Sequence, residues 1–404
     1  MKKILISATI ISFLFMGFGC KPKPENKSIL DSDIEFAVNQ IDNQLNEINK
    51  SGELLNPKTI LPSGETRYIT PTEWTSGFFP GQLWYLYELT NDSTWMKRAI
   101  EYTETLDSIQ YFTDHHDIGF MIGCSYGNGL RLAKKEKYKD VIVQAAKSLI
   151  TRYRPKAKII QSWNVEGWVV AKGWKCPVII DNMMNLELLF DATKISGDSS
   201  FYKIAIEHGN TTLKNQFRPD NSCYHVIDYD PETGKVLNKH TAQGYSHETI
   251  WSRGQAWAVY GYTMMYRYTK DKMYLEQAVK TANMLLNHPN LANDMIPYWD
   301  MDAPDIETQP RDVSTATVLA SAFYEMSLYL DKSYKDLADK LLENLSKPEY
   351  LATLGTNNNF LLKHSVGSIP HGFEIDVPLN YADYYFLEAL ARKRNLEDRG
   401  SIYY

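Results

Sequence analysis

The chain has 404 residues, 44% of them hydrophobic, and a formal net charge of −6. That length allows a large core and more than one domain, while the acidic balance argues against a nucleic-acid partner, whose phosphates call for a basic face. Aromatic residues make up 13%, with nine Trp and 27 Tyr, a supply that serves helical cores and flat platforms for sugar rings alike.

Residues 1–20 read as a signal peptide. Lys2 and Lys3 are followed by an apolar run from Ile4 to Phe18 that is short for a membrane span. The run ends in Gly17-Phe18-Gly19-Cys20, small residues before a Cys as in the cleavage box of bacterial lipoproteins. Lipidation at Cys20 is therefore expected, an ordinary secretory signal being the alternative. Residues 21–30 read as a solvated tether. Together they place the protein in the periplasm or at the outer membrane of a Gram-negative bacterium, touching the membrane only through the anchor. The sequence leaves protein partners undetermined.

Residues 31–397 read as one helical domain, with no Gly/Ser-rich or Pro-rich linker inside. Ile34, Ala37, Val38, Ile41, Leu45 and Ile48 share a helical face, as do Tyr138, Val141, Ile142, Ala145, Ala146, Leu149 and Ile150. Nearly uniform apolar runs occur at 79–89, 118–132, 183–192, 256–268 and 316–330. After them come helix starts of one form: Asp92-Ser-Thr-Trp95, Asp198-Ser-Ser-Phe201, Asp271-Lys-Met-Tyr274 and Asp331-Lys-Ser-Tyr334, with Glu136-Lys-Tyr138 a looser copy. A helix apolar on all sides is buried; one with a stripe lies outside it. The alternation predicts buried-then-outer hairpins closed into an all-α toroid, with the long loops gathered at one end. A hairpin of strands is expected within Cys223–Val236, around Asp-Pro-Glu-Thr-Gly.

Those loops carry the chemistry. Asp117, in Asp114-His115-His116-Asp117-Ile118-Gly119-Phe120, and Asp181, in Ile180-Asp181-Asn182-Met183-Met184, each open an apolar helix. An acid there ordinarily caps backbone N–H groups. Two of them on buried helices suggest instead a shared pocket, where desolvation raises a carboxyl pKa enough for acid catalysis. Trp74, Trp163, Trp168, Trp174 and the stretch from His240 through Trp251, Arg253 and Trp257 sit on neighbouring loops, as do Lys363, His364, Ser365 and Ser368. Such a cleft suits a carbohydrate. Arg253 offers a planar fork for a carboxylate, its bland alternative being a salt bridge to a nearby Asp. His225, His240 and His247 lack zinc-binding spacing, Cys124, Cys176 and Cys223 show no metal motif, and no metal site is expected.

His116-Asp117-Ile118-Gly119-Phe120, Asp181-Asn182-Met183-Met184-Asn185, Trp251-Ser-Arg253-Gly-Gln255-Ala-Trp257 and the stretch from Asp376 through Tyr381 to Leu390 together resemble glycoside hydrolase family 88, the unsaturated glucuronyl hydrolases. The resemblance runs from about Trp74 to Leu390. It implies an (α/α)6 toroid, catalytic Asp117 and Asp181, and substrate contacts from Trp74, His116, Trp163, His225, Gln243, Trp251, Arg253 and Trp257, with no cofactor. It implies a substrate bearing a 4,5-unsaturated uronic acid at its non-reducing end, hydrated across the C4=C5 vinyl ether. Asp181 would give and recover the proton, and Asp117 would hold the sugar and keep the Asp181 pKa high. Glycosaminoglycan fragments are the expected substrates, with a rhamnogalacturonyl hydrolase acting on pectin fragments and a non-catalytic glycan-binding lipoprotein as alternatives. Some family members bind sulfate through a Ser-x-Ser-x-Lys motif; Ser365-Val-Gly-Ser368-Ile-Pro370 departs from that spacing and lacks the Lys.

Overall fold

The computed structural model describes residues 28–403; the signal segment and the Cys20 lipidation site lie outside the described residues. Among the described residues the long helices form six pairs around an axis. The inner members are Phe78–Thr90, a continuous run from Ile118 to Ala133, Asn182–Ser196, Ser252–Thr269, Val313–Met326 and Asn380–Arg399. Each touches the next, and the last returns to the first, so the ring closes as an (α/α)6 toroid. The outer members are Ser93–Glu104, Lys137–Ile150, Ser199–Asn215, Lys272–Leu286, Ser333–Leu345 and Ile29–Asn49.

The sequence pattern dictates which helix goes where. Every residue of Val313–Met326 is buried, whereas Ser333–Leu345 buries Tyr334, Ala338, Leu341, Leu342 and Leu345 along one stripe and leaves its charges in water. Three inner-to-outer turns are built alike. Asn91, Gly197 and Lys270 take left-handed conformations that end the inner helix. Asp92, Asp198 and Asp271 follow, and each carboxylate accepts the N–H of the residue two further on, a cap worth about 1 kcal/mol. Asp331 does the same for Ser333 at 2.8 Å, but Glu136 makes no side-chain cap.

The sixth pair joins the two ends of the chain. Ile29–Asn49 is the outer helix against Asn380–Arg399 and Phe78–Thr90, a pairing no local pattern announces.

Because each outer helix returns the chain, all six inner helices start at the same end. The long loops meet there through isolated bridges such as His115 with Trp163, Trp251 with Asp300 and Thr59 with Leu379. A hairpin turns where expected but extends past Val236, with Val226–Tyr229 paired with Val236–His240, and Pro177–Ile179 adds a third strand to it. A second hairpin, Ser365–Ser368 with Phe373–Val377, stands beside it.

Candidate active site

The site is assembled at the starts of the inner helices. Asp117 and Asp181 are the residues just before Ile118 and Asn182, yet neither carboxylate caps its helix. Both backbones are close to helical, with φ of −72° and −55°, so the side chains point away from the N–H groups they would otherwise cap. The ordinary reason for an Asp at these positions is therefore absent, and both are buried.

Gly119 brings the two helices together. A Cβ there would lie 2.5 Å from Asn185 Cα and Oδ1. Asn185 Oδ1 accepts the Phe120 N–H at 2.8 Å, which locks the start of one acid-bearing helix to the flank of the other. Behind the first acid, Arg152 grips the Thr113 carbonyl, Asn164 Oδ1 and the Gln161 carbonyl, fixing the loop that delivers His115 to Asp117.

The two acids have opposite environments. Burial pushes the Asp181 pKa up to about 7, the charge of Asp117 adds to this, and Arg253 opposes it. Burial acts the same way on Asp117, but His116, His115 and Asn185 outweigh it and hold its pKa below the usual value. His115 Nδ1 and His116 Nε2 each lie 3.2 Å from the Asp117 carboxylate. At neutral pH Asp117 is ionised and Asp181 exchanges its proton readily, one acid and one fixed charge side by side.

Two histidine tautomers follow from hydrogen bonding. His225 Nδ1 accepts the N–H groups of Ala242 and Gln243 at 3.1 and 3.2 Å. Burial pulls its pKa well down, so the ring is neutral and its proton sits on Nε2, which faces Asp181. Asn185 Nδ2 lies 3.4 Å from His116 Nδ1; burial lowers His116 to about 4, placing its proton on Nε2 toward Asp117. Asp181 Oδ2, His225 Nε2 and Trp257 Nε1 are all buried without a hydrogen-bond partner in the protein. Native interiors seldom leave such atoms unpaired; three beside the two carboxylates mark where a polar ligand binds.

Aromatic rings shape the walls. Trp74 packs edge-on against Phe120 and tilts over Tyr381, 5.3 Å between centroids. Trp257 lies between Phe120 and Tyr385 and forms the floor. Trp163 meets His225 edge-on at 6.3 Å and stacks on Trp174.

The geometry places the remaining candidate residues as follows. Arg253 is not a free fork. Its terminal nitrogens donate to Asp312 Oδ2 at 2.7 Å, the Val366 carbonyl, Gln243 Oε1 at 3.0 Å and the Gly367 carbonyl at 2.7 Å. With four acceptors already in the protein, the guanidinium clamps the 365–368 strand to the start of Val313–Met326, and it turns the Gln243 NH2 outward. Trp251 is 3% exposed, 4.3 Å from the His225 ring, with the Arg253 guanidinium 4.7 Å from its own ring centre. Ser365 is buried with its Oγ unpartnered, and Ser368 Oγ is hydrogen-bonded to His371 Nδ1 at 2.7 Å. Elsewhere on the loops, His240 stacks on His247 at 4.2 Å and accepts the Trp174 N–H, and Lys363 bonds the Pro348 carbonyl. Among the described residues no cluster of metal-ligating side chains occurs. Sequence reasoning passed over His115 and Asn185, whose motif positions near Asp117 and Asp181 were the available signal, and Asp312, which lies 59 residues from its partner Arg253.

A ring of inner-helix starts carrying an ionised and a protonatable carboxylate under aromatic walls defines a carbohydrate-processing α/α toroid. The profile of Glycosyl Hydrolase Family 88 matches residues 55–392, and the chain belongs to that family. It is 43% identical to the unsaturated glucuronyl hydrolase of Formosa agariphila, over 98% of this chain and 99% of that protein. It is 33% identical to the unsaturated chondroitin disaccharide hydrolase of Streptococcus pneumoniae, over 80% and 82% of the two chains. The crystal structure of an unsaturated glucuronyl hydrolase specific for heparin superposes with a TM-score of 0.87 at 43% identity, over 92% of this chain and 98% of that one.

Proposed function

We propose that this protein hydrolyses the 4,5-unsaturated uronic acid from the non-reducing end of lyase-generated glycosaminoglycan oligosaccharides. The observation that carries the reading is the pair of unlike carboxyls, Asp181 raised to about 7 beside an ionised Asp117. The substrate is a vinyl ether, C4=C5–O5. Asp181 protonates C4, and the positive charge that develops at C5 and O5 is met by Asp117. Water then bonds to C5 and returns a proton to Asp181. The resulting hemiketal opens to a ketone at C5, leaving a hemiacetal at C1 that releases the next sugar. Protonation of carbon is the demanding step, and a carboxyl still protonated near neutrality is the group it needs.

His225 Nε2–H and the outward Gln243 amide supply donors for substrate oxygens, and Trp74 and Trp163 supply ring faces. Likeness to glycosaminoglycan-processing relatives of both streptococcal and heparin-specific kinds supports that substrate class over pectin fragments. The test is loss of the unsaturated-uronate absorbance on mixing enzyme with chondroitin, heparin and rhamnogalacturonan lyase products. Steady absorbance with every glycosaminoglycan product sinks the reading. We further propose that Cys20 carries a lipid anchor at the periplasmic or outer-membrane surface; a Cys20→Ala protein that still partitions with membranes refutes it.

A further inference from the structure

Outward from the catalytic acids the rings form a path: His225 to Trp163, Trp163 to Trp168 at 4.8 Å, and Trp168 to His371 at 5.8 Å. A sugar stacked along it has left the Asp181 pocket, so the path belongs to the second sugar of the substrate. At its outer end the chain makes a short helical turn, Gly167–Ala171, followed by Lys172 and by Gly173 at φ +71°. The turn leaves Lys172 exposed between Trp168 and Trp174, and its ammonium makes no hydrogen bond or ion pair among the described residues.

Other donors share this rim. His371 Nδ1 is hydrogen-bonded to Ser368 Oγ at 2.7 Å. His240 Nδ1 accepts the Trp174 N–H at 2.8 Å, so its proton is on Nε2. Burial disfavours protonation of both rings, and Lys172 adds to it. Of the acids here, Asp228 is committed by Oδ1 to the backbone N–H groups of Lys175 and Cys176, and Glu166, at the start of the turn, accepts from the Asn164 side chain at 3.5 Å. The rim thus carries a cation with two imidazole rings near it, in a chain of net charge −6. Position 370, where a Lys would complete the sulfate motif of some relatives, is Pro.

We infer that Lys172, with His371 and His240 beside it, is a specificity determinant that reads a sulfate group on the second sugar. The inference rests on the proposed hydrolase reading and locates its sulfate recognition on the Gly167–Lys172 turn, outside the 365–370 hairpin. A sulfate offers three outward oxygens to such donors, and an exposed ammonium serves as a point charge for them.

The test compares kcat/KM on unsulfated, 6-O-sulfated and N-sulfated unsaturated disaccharides. In Lys172→Ala the ratio of sulfated to unsulfated kcat/KM is expected to fall about fivefold for at least one sulfated form, chiefly through KM, while Lys172→Arg retains most of it. Raising salt should lower the wild-type ratio more steeply than that of Lys172→Ala. A ratio that Lys172→Ala does not change, whatever happens to the individual rates, overturns the inference. Failure of wild type on the unsulfated and sulfated disaccharides alike would instead overturn the hydrolase reading.

Discussion

His225 Nε2 stands 3.8 Å from Asp181 Oδ2, and neither atom has a hydrogen-bond partner within the protein. The gap is too long for a direct bond, and both atoms are turned to the same small volume. His225→Ala is expected to raise KM and lower kcat together, by about tenfold or more in kcat/KM, because it removes a donor that faces the reacting ring. His225→Asn, with a shorter donor, should recover little. Kinetics equal to wild type in both variants would make the residue a spectator.

The Asp181 shift fixes the pH dependence. Its folded pKa, about 7, exceeds the unfolded value near 3.8. The protonated form is favoured by folding, so the contribution of Asp181 to stability is greatest below about 4 and is lost as pH rises to about 7, above which its penalty is constant. Activity should fall through the same upper range as the acid deprotonates. Asp181→Asn is expected to lose about 100- to 10,000-fold in turnover and to gain thermal stability over wild type at pH 8 but not at pH 4. Melting curves at the two values decide it; a gain of equal size at both would mean that the carboxyl is not raised.

Asp117→Asn removes the charge that helps hold Asp181 up. The falling limb of its pH–rate profile should therefore move to lower pH, on top of a loss in rate. A profile that keeps its midpoint would separate the two carboxyls electrostatically.

Arg253 is expected to behave as a positioning residue. Arg253→Ala leaves Asp312 buried and uncompensated and frees the Val366 and Gly367 carbonyls, a loss of about 3–5 kcal/mol of stability. Arg253→Lys should restore part of the melting temperature without restoring the Gln243 contact. An Arg253→Ala protein as stable as wild type, with KM alone raised, would restore the role of carboxylate anchor.

Gly119→Ala tests the spacing of the acids. Its methyl meets Asn185 at 2.5 Å, and overpacking of this kind costs about 1–3 kcal/mol. The same displacement shifts Asp117 relative to Asp181, so kcat should fall more than KM rises; unchanged kcat would show that the pair tolerates the movement.

What the sequence made legible was local. The Asp caps at 92, 198 and 271 and the apolar runs before them lie within a few residues of one another, and they define hairpins and layers without tertiary information. Asp117 and Asp181 stood out because apolar helices follow them. The Arg253 contacts were hidden for the opposite reason: Asp312 is 59 residues away in the chain and the Val366 carbonyl 113. Nothing near Arg253 tells a ligand fork from a clamp. The closing pair, Ile29–Asn49 against Asn380–Arg399, was obscured likewise, since its members lie at opposite ends of the chain and carry no shared turn.

The common direction of the six inner helices has an electrical result. Each helix start presents N–H groups with a fractional positive charge, and six of them face one mouth. A molecule with a net charge of −6 thus directs fixed positive ends toward the opening through which a uronate must enter. That field is made of peptide bonds, so it survives the loss of any one side chain. It draws in carboxylate- and sulfate-bearing fragments while the acidic remainder of the surface repels them, and raising the ionic strength should slow capture of substrate more than the chemistry that follows.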